Sequence, residues 1–220
     1  MKGPCPQVFV VDDDSAVRAS IRVLLKSAGI ASTALASAQE FLEAYDPGQP
    51  GCLVLDIRMP GMDGIELQRQ LKLRGATIPV IFITGRADIP MAVEAMQHGA
   101  FDFLQKPFRD HELIGRVQRA LTRDLETHQT LADQQSLHTR LTSLTPRERE
   151  VLDLLVNGMS NKVIAGELGL SRRTVEIHRA HVMEKMAVRS VAQLVRVMFD
   201  LEHKIMSKGQ ASQAGSRAAD

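Results

Sequence analysis

The chain has 220 residues, of which 44% are hydrophobic and 24% charged, and its formal net charge at pH 7 is +1. This balance is typical of an ordinary globular protein with one large or two modest domains. No stretch approaches the roughly 20 apolar residues of a membrane span, and residues 1–11 lack the apolar core of a secretory signal. We therefore expect no membrane partner and a cytoplasmic location. There, Cys5 and Cys52 stay reduced and form neither a disulfide framework nor a metal pair.

The first 120 residues alternate short apolar runs with amphipathic stretches. The apolar runs are 8–11, 31–36, 53–55, 80–83 and 101–104, and amphipathic stretches cover 15–28, 38–44 and 65–73, with another opening at 90–96. Strands that alternate with crossover helices predict an α/β fold with a parallel, doubly wound sheet of five strands. Gly29 follows the first predicted helix, and Ser37 with Glu40 predicts a capping box for the second.

A linker is predicted to follow this sheet. Between residues 121 and 143 the leucines keep no steady heptad and alternate with polar residues, so we expect a helix only at the start of the linker and not a sustained coiled coil. The chain after Lys204 is rich in Ser, Gly, Gln and Ala, which predicts a disordered tail.

The second domain is predicted to be all-helical. Thr145-Pro146-Arg147-Glu148 combines a capping hydroxyl, a first-turn proline and a capping-box glutamate, which together predict a helix start. Gly158 is expected to end that helix. Three further helices are predicted, capped by Ser160, Ser171 and Ser190, with Gly169 as the turn between the second and third. Two helices joined at this turn form a helix-turn-helix.

Four polar signals each follow an apolar run in the first domain. They are the triplet Asp12-Asp13-Asp14, then Asp56, Thr84 and Lys106. Because parallel strands end at one edge of a sheet, we expect these groups to converge on one crevice. A single acid at such a place often only caps the next helix, and a lone threonine or lysine there means little. The order and spacing of all four favour a common site.

Acids held close together raise one another's pKa unless a cation compensates. Mg²⁺ prefers oxygen ligands and typically uses one or two carboxylates beside a phosphate. The predicted ligands are Asp13 and Asp56, Asp12 through water, and the backbone carbonyl of Arg58. Asp56 is then the nucleophile that forms an aspartyl phosphate, while Lys106 and the Thr84 hydroxyl hold phosphoryl oxygens.

Basic side chains cluster on the third predicted helix of the second domain. A helix that follows a short turn and carries Arg, Thr and His side chains fits the major groove of DNA, although a basic helix face is often merely solvated. We expect the phosphate contacts from Arg172, Arg173, Arg179 and Lys185. Thr174, His178 and His181 complete the polar set on this helix. His178 is equally compatible with packing beneath the helix.

Residues 7–122 resemble a response-regulator receiver domain, which has a flavodoxin-like (βα)5 fold. The resemblance rests on the motifs Val10-Val11-Asp12-Asp13-Asp14, Leu55-Asp56-Ile57-Arg58-Met59-Pro60-Gly61-Met62-Asp63-Gly64, Ile83-Thr84-Gly85 and Phe103-Leu104-Gln105-Lys106-Pro107-Phe108. It implies that Asp56 takes phosphate from the phosphohistidine of a sensor kinase with Mg²⁺ bound nearby. It also implies that Thr84 and Phe103 are switch residues, although Phe103 could simply pack in the core. A cis peptide before Pro107 is expected on the same ground.

Residues 141–200 resemble the LuxR-type helix-turn-helix domain. The matching motifs are Leu144-Thr145-Pro146-Arg147-Glu148-Arg149-Glu150-Val151-Leu152, Asn161-Lys162-Val163-Ile164-Ala165 and Thr174-Val175-Glu176-Ile177-His178. The resemblance implies that Glu176, Ile177 and Ala180 meet base edges, whereas Val175 is expected in the core. Together the two domains resemble the NarL/FixJ class, with the FixJ-like subgroup nearest.

The sequence therefore predicts a two-component response regulator and not an enzyme. The expected domains are the receiver at 7–122, a linker at 123–140, the helix-turn-helix domain at 141–206 and the tail at 207–220. Phosphorylation is expected to promote a homodimer through residues 91–106. That dimer binds promoter DNA, with RNA polymerase as a further partner, and activates transcription. The alternatives are an aspartate-based phosphohydrolase, a metabolite-sensing LuxR-type regulator and a LuxR-type regulator that works without phosphorylation.

Overall fold

The computed structural model describes residues 5–85 and 89–201 and divides into two compact units, with the boundary between Thr130 and Leu131. In the first unit the strands are β1 (Gln7–Val11), β2 (Ser32–Leu35), β3 (Gly51–Asp56), β4 (Val80–Thr84) and β5 (Asp102–Gln105). Its helices are α1 (Ser15–Ser27), α2 (Ala38–Ala44), α3 (Gly64–Leu73), α4 (Ile89–Gln97) and α5 (Asp110–Thr142), the last of which continues into the second unit. The predicted tail at 207–220 lies outside the described residues.

The five strands form one parallel sheet in the order β2-β1-β3-β4-β5. The α/β prediction with a doubly wound sheet is therefore confirmed, although individual strands extend one or two residues beyond their apolar runs. β3 is buried along its whole length because helices cover both faces of the sheet. Phe82 belongs to the core on one face and Ile81 to the core on the other, as alternation along a strand requires.

Helix ends follow the capping residues of the sequence. Asp14 and Asp63 accept hydrogen bonds from first-turn amides of α1 and α3. Ser37 caps α2 as expected, but the Glu40 carboxylate accepts from the Ala36 amide and not from the Ser37 amide of a standard capping box. The peptide bond between Lys106 and Pro107 is cis, as the family resemblance implied.

The linker region differs from its prediction. α5 is one continuous helix from Asp110 to Thr142, whereas only the start of this region was expected to be helical. Between Gly115 and Pro146 the chain has no glycine or proline, and most of its residues are good helix formers. Several threonines that would otherwise favour turns bond back to carbonyls one turn earlier, among them Thr122, Thr127 and Thr130. The irregular leucines therefore argued against a coiled coil and not against a helix.

The second unit is helical, as predicted. Its remaining helices are α6 (Pro146–Val156), α7 (Asn161–Leu168), α8 (Arg172–Lys185) and α9 (191–201). The Thr145–Glu148 capping box is complete, and Gly169 makes the turn after α7 with a left-handed φ of 65°. Val151, Ile164, Val175 and Leu194, one from each of these helices, are fully buried in a common core. Within the described residues, no helix is both long and apolar enough to cross a membrane.

Candidate functional site

Two of the predicted acids meet at the C-terminal edge of the sheet. Asp12 follows β1 and is 1% exposed, and Asp56 ends β3 and is 9% exposed. The Lys106 ammonium lies between them, with its Nζ 2.7 Å from Asp12 Oδ2 and 2.7 Å from Asp56 Oδ1. Lys106 comes directly after β5, so three strands of the sheet supply one charged cluster. This is the convergence that parallel strand ends predict.

The other carboxylate oxygens of the two acids are held by backbone amides. Asp56 Oδ2 accepts from the Arg58 amide at 2.8 Å, and Asp12 Oδ1 accepts from the Asp14 amide at 2.8 Å. Asp14 turns away to cap α1, so the third acid of the triplet has the plain structural role. Asp13, which lies between Asp12 and Asp14 in the sequence, is exposed.

The charges in this cluster perturb one another. Burial raises the pKa of Asp56 above its usual value, and the neighbouring Asp12 adds to this, while hydrogen bonds from Lys106 and the Arg58 amide act in the opposite direction. Burial by itself would lower the pKa of Lys106, but the hydrogen bonds and charges of Asp12 and Asp56 outweigh it and raise that pKa. Lys106 is therefore held as a cation against two anions. Buried charges that perturb one another are common at functional sites.

The predicted switch residues, Thr84 and Phe103, lie on β4 and β5. Thr84 ends β4, is fully buried, and its hydroxyl donates to the Gly85 carbonyl at 3.0 Å. Phe103 in β5 is half-buried and packs against the core cluster that contains Phe82. Both side chains have a local place in the fold. Their movement on phosphorylation stays a prediction.

Two residues near the cluster were missed from the sequence. The Arg18 guanidinium, from α1, donates to the Asp12 backbone carbonyl at 2.7 Å and so holds the loop that carries the acids. Gly64, which opens α3, packs against the backbone of Asp56: a Cβ on it would lie 2.3 Å from the Asp56 carbonyl oxygen. The sequence signal for Gly64 was its place after Asp63, which indicates only a helix start. No local pattern pointed to Arg18.

The oxygen donors fit a hard divalent cation. Among the residues that the structure describes, no three His, Cys, Asp or Glu side chains form a group that could hold a metal ion by themselves. Mg²⁺ does not need such a group, because it retains waters and takes one or two carboxylates beside a phosphate. Asp12 and Asp56 supply carboxylates of that kind, held close together by Lys106.

In the second unit, α8 exposes the residues predicted to read DNA. Arg172, Arg173, Glu176 and Ala180 are exposed, and the Ile177 side chain is 49% exposed although it is apolar. Val175 is fully buried, as expected for a core residue. The Thr174 hydroxyl lies 2.8 Å from that of the capping Ser171. An exposed apolar residue flanked by polar ones suits a groove that presents both methyl groups and hydrogen-bonding edges.

Four other residues that were predicted to contact DNA have neighbours within the second unit or are partly buried in it. Arg179 donates to the Asn161 side chain at 3.0 Å, which holds its guanidinium beside the start of α7. Lys185 donates to Glu148 at 2.6 Å and to the Ser143 carbonyl at 3.1 Å. His181 Nδ1 lies 3.5 Å from Glu148 Oε1. His178 Nδ1 is buried without a hydrogen-bond partner among the described residues.

Comparison with known proteins identifies both units. Residues 8–118 match the response regulator receiver domain, and residues 142–198 match the bacterial regulatory proteins of the luxR family. The transcriptional regulatory protein FixJ of Azorhizobium caulinodans is 49% identical over 190 residues, which cover 86% of this chain and 90% of FixJ. The chain belongs to the two-component response regulators of the NarL/FixJ class.

Other relatives agree. Nodulation protein W of Bradyrhizobium diazoefficiens is 46% identical over 190 residues, covering 86% of this chain and 84% of that protein. The solved structure of the response regulator StyR matches with a TM-score of 0.84 at 48% identity, covering 89% of this chain and 98% of StyR.

Membership of this class decides between several alternatives. This response regulator is a transcriptional regulator and not a phosphohydrolase or other enzyme. A receiver precedes its DNA-binding domain, so it is not a metabolite-sensing LuxR-type regulator. The pairing of a receiver with a LuxR-type domain implies a kinase partner and DNA binding, and receiver domains generally depend on Mg²⁺ for phosphorylation. Regulation without phosphorylation stays an alternative hypothesis.

Proposed function

We propose that Asp56 accepts a phosphoryl group from the phosphohistidine of a sensor kinase, and that this modification switches on DNA binding. The observation that carries the proposal is the buried Asp12–Lys106–Asp56 cluster. An Asp56 carboxylate oxygen forms the new bond to phosphorus as the phosphorus–nitrogen bond breaks, and the electrons of that bond return to the kinase imidazole. The phosphoryl group then replaces Asp12 or Asp56 as a partner of the Lys106 ammonium.

Each further residue has a separate task in this proposal. Mg²⁺, when bound, offsets the negative charge of the acids and the phosphoryl oxygens, and Asp12, Asp13, Asp56 and the Arg58 carbonyl hold it. Lys106 and the Thr84 hydroxyl hold phosphoryl oxygens. To do so, the hydroxyl must leave the Gly85 carbonyl, and Phe103 fills the space behind it. The buried hydroxyl and half-buried ring support this pair as a switch.

The output is proposed to be a homodimer on promoter DNA, with RNA polymerase as a further partner and the cytoplasm as its location. Val93 and Met96 of α4 are 48% and 37% exposed, which supports a contact surface between receivers around residues 91–106. Arg172 and Arg173 are proposed to bind phosphates, and Glu176, Ile177 and Ala180 to face base edges. Thr174, His178, Arg179 and His181 flank this reading face, whereas Lys185 supports the fold through Glu148. We propose the corresponding domains: a receiver at 7–122, a linker at 123–140, a DNA-binding domain at 141–206 and a tail after it.

The proposal is tested by footprinting the full-length protein on promoter fragments of its own genome at fixed salt. A small phosphodonor with Mg²⁺ is either present or absent, and the variants are Asp56→Asn and the matched control Asp63→Asn, which keeps a good helix cap. We expect the phosphodonor to strengthen protection for the wild type and for Asp63→Asn, but not for Asp56→Asn. Equal protection under all conditions would support the regulator that works without phosphorylation.

A further inference from the structure

A buried acid lies at the opposite end of the sheet from Asp56. Asp124 of α5 is 1% exposed, and its Oδ2 accepts a 2.8 Å hydrogen bond from the amide of Gly51, 73 residues away. Gly51 is the first residue of β3, and Asp56 is the last. One six-residue strand therefore carries the phosphoacceptor at one end and the amide held by Asp124 at the other.

The amide that Asp124 binds cannot easily turn elsewhere. A Cβ on Gly51 would lie 2.2 Å from the Gln7 carbonyl oxygen, so β1 and β3 approach each other as closely as glycine allows. The neighbouring Gln7 amide donates to the Pro50 carbonyl at 2.9 Å, which fixes this edge of the sheet. Asp124 therefore attaches α5 to a rigid point.

Asp124 also holds a special place in its own helix. The buried residues of α5 are Leu113, Val117, Ala120 and Asp124, which follow helical spacing along one stripe. The first three pack in the core, and the last is the acid. Asp124 is thus the final buried position of α5, which continues for 18 more residues to Thr142.

The charge of Asp124 is only partly compensated. Its Oδ1 has no hydrogen-bond partner among the described residues, and His128 Nε2 lies 3.4 Å from Oδ2. Tyr45, after α2, and Cys52, in β3, also face Asp124. Burial, the charge of Asp124 and that of Asp46 raise the pKa of Tyr45 to about 12, and burial with the charge of Asp124 raises the pKa of Cys52. Burial raises the pKa of Asp124 itself. A buried charge with incomplete pairing is poor for stability, so an apolar residue would serve plain packing better.

We propose that Asp124 and His128 form a charge-dependent clasp that anchors the last receiver turns of α5 to the start of β3. The clasp ends the receiver part of the helix, and a change in its charge loosens the helix where it leaves the receiver. It differs from the phosphorylation site in position and chemistry, and it requires neither phosphate nor DNA.

Hydrogen exchange of the full-length protein, followed in peptides that cover 121–130, tests the clasp. Asp124→Ala removes the acceptor, Asp124→Asn keeps an acceptor without the charge, and His128→Ala removes the imidazole beside Asp124. Glu126→Ala is the matched control, because Glu126 is an exposed acid on the same helix. We expect exchange to rise at least about tenfold in Asp124→Ala and about threefold in Asp124→Asn and in His128→Ala, with the control within about 1.5-fold of wild type.

Exchange in Asp124→Ala at the level of the control would overturn the anchoring role. Wild-type exchange in both Asp124→Asn and His128→Ala would overturn the dependence on charge. If Asp124→Ala fails to fold, the other two variants decide the question. Asp124→Asn keeps a side chain of similar size, and His128→Ala changes a position that is only half-buried. Neither result depends on whether Asp56 is phosphorylated. Failure of the clasp proposal can therefore be distinguished from failure of the proposed function.

Discussion

The Lys185 ammonium donates a 2.6 Å hydrogen bond to the carboxylate of Glu148, which is only 4% exposed, and so joins the end of α8 to the start of α6. The same carboxylate oxygen accepts from the Thr145 amide within the capping box. Lys185 therefore helps to orient the helix that carries the residues predicted to read DNA, and its own phosphate contact stays a prediction.

Replacement of Lys185 by alanine is expected to act on stability. Without the ammonium, Glu148 keeps its charge in a buried position with one partner fewer, so Lys185→Ala should lower the free energy of unfolding of the DNA-binding unit by about 2 kcal/mol. Hydrogen exchange of α6 and α8 peptides in the full-length protein measures this. Arg172→Ala is the matched control: it should leave exchange unchanged and reduce the salt dependence of DNA binding by about one phosphate contact. If Lys185→Ala left hydrogen exchange unchanged and instead reduced the salt dependence of DNA binding, Lys185 would be assigned to a DNA phosphate contact.

The same pair predicts an acid-dependent loss of stability. The hydrogen bond from Lys185, with that from the Thr145 amide, lowers the pKa of Glu148 from 4.5 to about 2. A carboxyl with a lowered folded pKa stabilises the fold above its ordinary pKa, and this contribution is lost as the pH falls through the folded value. Wild-type α6 should therefore be better protected from exchange than α6 of Glu148→Gln above about pH 5, and the difference should shrink as the pH falls from about 4.5 towards 2. A constant difference would contradict this.

Sequence patterns predicted what depends on neighbours in the chain. The apolar runs located all five strands, and the rule that parallel strand ends share an edge was enough to predict that Asp12, Asp56 and Lys106 converge. The capping residues predicted the helix starts for the same reason, since a cap and its amide lie within three residues.

Contacts between distant residues could not be predicted in this way. Lys185 and Glu148 are 37 residues apart, and Asp124 and Gly51 are 73 apart, so neither pair leaves a local signal. In an amphipathic helix, Asp124 resembles any solvated acid, because only the packing of α5 on the sheet buries it. The full length of α5 was predictable, however, from the absence of glycine and proline between 116 and 145.

Asp56→Asn should stabilise the receiver as well as abolish phosphorylation. Because the pKa of Asp56 is raised in the fold, the receiver binds this proton more tightly folded than unfolded. The stabilising contribution of the Asp56 carboxyl is therefore fully present below pH 3.8 and is lost as the pH rises through its pKa in the folded receiver. At neutral pH the charged carboxylate lowers the free energy of unfolding. We expect Asp56→Asn to raise the free energy of unfolding measured in urea without Mg²⁺. Glu43→Gln, at an exposed acid of α2, should change it little, and destabilisation by Asp56→Asn would contradict the prediction.

Two glycine-to-alanine changes should have opposite effects on the receiver. The Cβ of Gly64→Ala would lie 2.3 Å from the Asp56 carbonyl oxygen and 3.1 Å from the Phe82 ring, so the backbone of Asp56 must shift. We expect a loss of roughly 2–3 kcal/mol in the free energy of unfolding, together with slower phosphorylation of Asp56 by a small phosphodonor.

A Cβ on Gly115 of α5 would meet no atom within 4 Å, so Gly115→Ala should gain about 1 kcal/mol in the free energy of unfolding from helix propensity alone. Urea unfolding at equilibrium measures both variants. Equal stability would mean that the close contact between Gly64 and Asp56 relaxes without cost. Normal phosphorylation in Gly64→Ala would mean that this contact does not position the proposed phosphoacceptor, Asp56.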